Sequence, residues 1–343
     1  MALSGSWVFG VTRDDIIKES MQNVGALGES EIPTSQEVTD CSRKLNMMVK
    51  QWMGSQDFAP GLKMWERQRG ELFLTSSQGV YELGPNSPDN WAGSVKGQNN
   101  SQPYGQTILL QAQNAGDNSF FVADASDMNV GDNVGIFIGP DIFWSTITSV
   151  STGSNNFTIP GPGLPAPTSG SNVVYNYTTK AQRPLGIVTC ILRDQFGQDT
   201  PVNPMTIQEY EALPTKTQQG YVCDAAAFYY ESQFSTDGKT VTGGGLIFLD
   251  MFGAQDTNKH LHIVYVRPVM DMNQPTDNPE YPQQWYRALC WGLAREIAPM
   301  FDSDWTQEMQ ANYDQSLLMA REGDPETTAL YFQPNVADPY GTY

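Results

Sequence analysis

Two histidines, His260 and His262, are the only imidazoles in this chain of 343 residues, and they stand two apart in an apolar run. In a strand that spacing puts both rings on one face, where their nitrogens could share a metal ion. Cys41, Cys190, Cys223 and Cys290 are scattered with no Cys-x-x-Cys pair, so zinc would depend on remote carboxylates. The histidines are therefore expected on an exposed strand face, and the cysteines as small buried thiols. A nucleophilic serine would be announced by a Gly-x-Ser-x-Gly elbow, which the sequence lacks. Asp124, Asp127, Asp132 and Asp141 could in principle pair for glycoside hydrolysis, yet they lie in turn-rich sequence without metal-loop spacing. Gly243-Gly244-Gly245 precedes a strand rather than a helix and reads as a hairpin turn, not a phosphate cradle. The sequence thus predicts no catalytic, cofactor-binding or metal-binding residue, and a protein that is not an enzyme.

The elements around these residues fall into three blocks. Thr12 caps a run in which Ile16, Ile17, Met21, Val24 and Leu27 recur at helical spacing, with acids in the first turn where the helix dipole favours them. Thr34-Ser35-Gln36-Glu37 matches a capping box, and Val38, Cys41, Leu45, Met48, Val49 and Trp52 follow as an apolar stripe. Near the other end, Trp285, Leu289, Leu293, Ile297 and Met300 form a second stripe broken at Pro299. A further helix, capped by Ser303-Asp304, carries Trp305, Met309, Tyr313, Leu317 and Ala320. Between them lie short apolar runs separated by Gly, Asn and Pro, predicted as strands at 72–74, 80–83, 107–110, 119–122, 133–138, 146–150, 156–159, 172–177, 187–192, 228–230, 245–249 and 260–266. The first two are expected to form a hairpin, and the spacing of the others suits a small barrel or sandwich.

The predicted fold is therefore α+β: a helical core built from both chain ends, with an inserted β-rich domain and an extended C-terminal arm. The expected divisions are 1–70 and 270–322 for the helical parts, 71–269 for the β-rich region and 323–343 for the arm. Leu45, Met48, Val49, Trp52, Trp285, Leu289, Leu293 and Trp305 are the expected helical core. The arm combines prolines with Tyr331, Phe332, Pro334, Tyr340 and Tyr343, too broken for a helix and too aromatic for an ordinary solvated tail; it reads as a segment that orders on a neighbour.

Charge narrows the partners. Lys and Arg total 19 against 38 Asp and Glu, a formal charge of −19. Wrapping duplex DNA needs cations that displace counterions from phosphate, so that class is disfavoured. DNA could still pass along an acidic wall, which repels it instead of binding it. Residues 1–70 are nearly balanced, with nine acids and eight bases, whereas 97–179 hold five Asp and no Lys or Arg. No run of about 18 apolar residues is present, so no membrane span is expected. Met1-Ala2-Leu3-Ser4-Gly5 has neither a basic start nor a long apolar core, so no signal peptide is expected.

Several segments together carry a family resemblance. They are residues 3–24, Leu45-Asn46-Met47-Met48-Val49-Lys50-Gln51-Trp52, Tyr175-Asn176-Tyr177-Thr178-Thr179-Lys180-Ala181-Gln182-Arg183-Pro184, and Glu209-Tyr210 followed by Leu213-Pro214-Thr215-Lys216. Further on come Tyr265-Val266-Arg267-Pro268 and Thr276-Asp277-Asn278-Pro279-Glu280-Tyr281-Pro282-Gln283-Gln284-Trp285-Tyr286. In this order the chain resembles the large head-to-tail adaptors of short-tailed bacteriophages, the packaged-DNA stabilisation or head-closure proteins. The resemblance implies a virion protein of the head-tail neck, assembled in the bacterial cytoplasm as a ring of about twelve copies. The implied partners are the portal protein, neighbouring copies, and tail nozzle or fibre proteins, with packaged DNA passing through the lumen without sequence-specific binding. The arm at 323–343 would engage the portal. The block at 97–179 is larger than compact members of that family carry. A carbohydrate- or receptor-binding tail module, carried by the β-rich insert, is the alternative function.

Overall fold

The computed structural model describes residues 9–28, 30–54, 67–76, 78–93, 102–213, 222–232, 244–250, 254–255 and 258–323. The chain is mixed α/β and divides into two compact units, one of Met1–Trp65 with Val269–Tyr343 and one of Glu66–Pro268.

In the first unit, α1 (Arg13–Asn23), α2 (Ser35–Gly54), α4 (Tyr286–Ile297) and α5 (Gln307–Glu322) share one apolar cluster; α3 (Ile207–Glu211) belongs to the second unit. Thr12 caps α1 in a reciprocal box with Asp15, and Thr34 and Glu37 do the same for α2, so the first free N–H groups of each helix find acceptors. Ile16, Ile17 and Met21 meet Leu45, Val49 and Trp52 and, from α4, Leu289 and Leu293, all buried. Trp52 and Trp285 lie 6.2 Å apart between ring centroids. Gly292 permits this approach, since a Cβ there would stand 2.6 Å from the Trp52 ring. Three polar side chains tie the partners together: Arg13 Nη1 donates to Asn273 O at 2.7 Å, Lys44 Nζ to Glu296 O at 2.7 Å, and Lys50 Nζ to Val269 O at 2.6 Å. The cap of α5 is Thr306, which accepts from Met309 N, rather than Ser303-Asp304; the Ser303 hydroxyl instead donates to Val24 O.

The second unit is β-rich. Its strands are β1 (Arg67–Phe73), β2 (Val80–Leu83), β3 (Trp91–Ala92), β4 (Gly105–Ile108), β5 (Ser119–Phe121), β6 (Asn133–Ile138), β7 (Asp141–Thr146), β8 (Ser149–Ser151) and β9 (Asn156–Thr158). There follow β10 (Val173–Tyr177), β11 (Gly186–Asp194), β12 (Asp199–Pro204), β13 (Val222–Cys223), β14 (Ala227–Glu231), β15 (Gly245–Leu249), β16 (Ala254–Gln255) and β17 (Lys259–Val266). Eight of them form a large, nearly closed, barrel-like sheet in the order β2-β15-β14-β12-β11-β17-β1-β3. A four-stranded sheet, β4-β10-β6-β7, and a three-stranded sheet, β5-β9-β8, come from the cation-free stretch. These two sheets share a cluster of Leu109, Phe120, Val134, Ile136, Phe157 and Val174.

Among the differences from the sequence expectation, which include the unexpected short strands β3, β13 and β16 and the division of the expected strand at 146–150 between β7 and β8, three have a local reason. β1 and β2 are not a hairpin: β1 pairs with β17 and β3, and β2 pairs with β15. Gly70 supplies the notch that seats the Trp91 indole, where a Cβ would come within 2.1 Å of the ring, and the edge of β1 goes to β3. β7 is an additional strand, paired along its length with β6. β12 contains Pro201 and Pro204 yet joins the large sheet. Asn203 N donates to Ala226 O beside β14, and Met205 N, just past β12, to Phe228 O of β14, while pairing with β11 ends at Val202. Pro201 therefore faces β14 before that pairing begins, and Pro204 faces β11 after that pairing has ended, so neither ring removes a ladder bond.

Candidate functional site

The one concentration of buried ionisable groups among the described residues lies in the β unit, on the face of the large sheet turned to the four-stranded sheet. It grows from cross-strand register. His262 on β17 stands opposite Glu71 on β1, and His260 stands between Phe73 on β1 and Arg193 on β11, which in turn faces Asp199 on β12. Alternation along β17 sends Leu261, Ile263 and Tyr265 into the cluster on the other face of the sheet.

Glu71 is fully buried and shares a 2.5 Å hydrogen bond between its Oε1 and His262 Nδ1. Arg193 Nη1 stands 3.7 Å from the same oxygen, and Arg193 also forms a two-pronged pair with Asp199 at 2.7 and 2.9 Å. The second oxygen, Oε2, lies 3.6 Å from His260 Nε2 and has no hydrogen-bond partner among the described residues. Tyr104 Oη meets His260 Nε2 at 3.1 Å, while His260 Nδ1 has no hydrogen-bond partner among the described residues. Phe73, Tyr104 and Tyr175 surround the His260 ring at centroid distances of 5.6, 5.1 and 5.8 Å.

The electrostatics follow from this burial. Desolvation pushes the Glu71 carboxyl up, opposed by the His262 hydrogen bond and then by the charges of His262 and Arg193. Desolvation drives His260 from 6.5 down to about 3, with Arg193 and His262 adding to it, so the ring is neutral at pH 7. Asp199 is held low by the hydrogen bonds from Arg193. The hydrogen-bonded Glu71–His262 pair thus lies beside a second imidazole that resists a proton.

The histidines thus share one face, as their spacing requires, but that face is not exposed: His260 is 1% and His262 8% accessible. The four-stranded sheet covers it. No group of three His, Cys, Asp or Glu side chains among the described residues is placed to hold a metal ion. Asp124, Asp127 and Asp132 lie in the connections of the cation-free sheets and Asp141 opens β7; Asp124 Oδ1 accepts from Ser126 N, and Asp132 Oδ2 from Asn129 N and Asn176 Nδ2. Cys41, Cys190 and Cys290 are free and buried, and burial pushes each thiol up. The side chain of Cys223 and residue Gly243 lie outside what is described. Glu71, Arg193, Asp199 and Tyr104 are absent from the sequence expectation. Their available signal was a carboxylate inside the apolar run Glu71-Leu72-Phe73-Leu74.

Leu45, Met48, Val49, Trp52, Trp285, Leu289 and Leu293 are buried in the helical cluster, and Trp305 packs against it half-buried, its ring edge-on to Trp291 at 6.4 Å. Tyr331, Phe332, Pro334, Tyr340 and Tyr343 lie outside the described residues. No helix among the described residues is long and apolar enough to cross a membrane. Family models, curated proteins and solved structures were compared with the chain, and none matches it.

Proposed function

We propose that this protein is a structural head-to-tail connector of a short-tailed phage. Copies form a ring that docks under the portal, extends the DNA channel, retains packaged DNA and anchors tail nozzle or fibre proteins. The helical core built from both chain ends is the ring body, the β unit is the part that engages tail components, and the arm at 323–343 is the portal anchor. The observation that carries this reading is the pooling of α1 and α2 with α4 and α5 in one apolar cluster while a whole β unit intervenes in sequence. The ordered family-like segments support it. So does the end of α5, where Leu318 and Met319 are 56% and 55% accessible just before the arm, apolar surface of the kind interfaces cover. The acidic balance, 38 acids against 19 bases, suits a wall along which DNA slides.

Sedimentation of the purified chain with and without the cognate portal ring tests the proposal. The expected outcome is a discrete multi-copy complex that is lost when 323–343 is deleted. No complex at high concentration would overturn it, and glycan binding that survives the deletion would install the receptor-binding alternative in its place.

A further inference from the structure

The row Glu71, His262, His260 and Arg193 lies where two sheets of one unit meet, and its role is independent of the connector reading. Every charged or titratable group among the described residues that faces His260 can be named. Glu71 comes from β1, His262 from β17, Arg193 and Asp194 from β11, Asp199 from β12, Tyr104 from just before β4, and Tyr175 from β10. The remaining wall is aromatic: Phe73 contacts Trp144 of β7 and Tyr175 at 4.9 Å each, and stacks on Tyr177 at 6.3 Å. These rings are the contact between the large sheet and the four-stranded sheet.

Near neutral pH the row is balanced. Asp199 takes both prongs of Arg193, Glu71 and His262 share a hydrogen bond, and His260 is uncharged. Acid acts on the two kinds of group with opposite sign. The raised carboxyl of Glu71 favours the folded state when protonated, so its own protonation does not loosen the structure. It does remove the nearest anion to His260 and His262. The depressed imidazole of His260 contributes stability that is present above 6.5 and is lost as pH falls toward about 3. A proton on that ring, with Glu71 neutral and Arg193 alongside, finds as anions only Asp199, already paired with Arg193, and Asp194, and admitting water is the remaining way to solvate it.

We propose that this row is a proton-operated latch between the two sheets: it holds the four-stranded sheet against the large sheet while His260 is neutral, and releases it when His260 takes up a proton.

Because the chain has two histidines, NMR of the full-length protein gives two imidazole signals, separable with the His260→Phe variant. The expected result is that the His260 signal stays neutral down to the pH at which the near-ultraviolet circular dichroism of the aromatic wall collapses. Amides of β10 and β6 should lose exchange protection at that same pH while those of α4 keep theirs. His260→Phe should move the collapse to lower pH by about half a unit or more and reduce the protons taken up by about one. An imidazole that titrates near its ordinary value with the aromatic signal intact would overturn the latch. So would an unchanged midpoint in folded His260→Phe. Should that variant not fold, the titration of the unaltered chain decides alone.

Discussion

The two units bury their interiors in different ways. Between the helices, aliphatic and indole side chains meet with main-chain carbonyls tied by Arg13, Lys44 and Lys50 at the margins. Between the sheets of the β unit, a carboxylate and two imidazoles lie under an aromatic wall. The first interior depends on volume and is indifferent to protonation. The second depends on charge balance, and it constrains which sheet face meets which, because a slipped register would strand Glu71 or Arg193.

That contrast can be broken from either side. The largest effect is expected from Glu71→Ala, which leaves His262 and Arg193 without their buried anion and should cost about 3–5 kcal/mol in denaturant unfolding followed by near-ultraviolet signal. A loss under about 1 kcal/mol would mean the row does not hold the sheets. Leu289→Ala should remove about 2–5 kcal/mol from the helical unit, read at the helical far-ultraviolet band, with no change in its pH dependence between about 4 and 7. Gly292→Ala sharpens the volume argument. The added methyl meets Trp52 at 2.6 Å and Met48 Sδ at 2.8 Å, and overpacking of this kind costs about 1–3 kcal/mol. Thr306→Ala, which removes the acceptor for Met309 N at the start of α5, should cost about 1 kcal/mol and leave both interiors intact. A Thr306→Ala loss as large as that of Leu289→Ala would show that α5 folds as a marginal appendage.

The sequence disclosed elements best where local chemistry is self-sufficient. Thr34 and the stripe from Val38 to Trp52 define α2, because cap and periodicity act within one helix. β6 runs over Asn133–Ile138, the predicted interval, bounded by turns on both sides. β7 is not marked by its sequence because both of its faces carry half-buried apolar side chains. Ile142 and Trp144 pack into the aromatic wall and Phe143 into the neighbouring apolar cluster, so no polar alternation marks it. β12 was hidden by prolines whose missing donors happen to face gaps in the ladder. The candidate site was half legible. Period two placed His260 and His262 together, but Glu71 lies 191 residues from His262, and nothing local to β17 reveals that a second sheet covers that face.

The β unit begins and ends on neighbouring strands: Arg67 of β1 and Val266 of β17 are direct cross-strand partners. Their Cα atoms are therefore only about 5 Å apart. The stretch from Arg67 to Val266 thus closes on itself, and it adds little to the closure entropy of the chain that joins α2 to α4. An ancestral gene could gain, lose or exchange this cassette without asking the helices to refold around it. Evolution could then vary the β unit at a rate set by its own contacts alone.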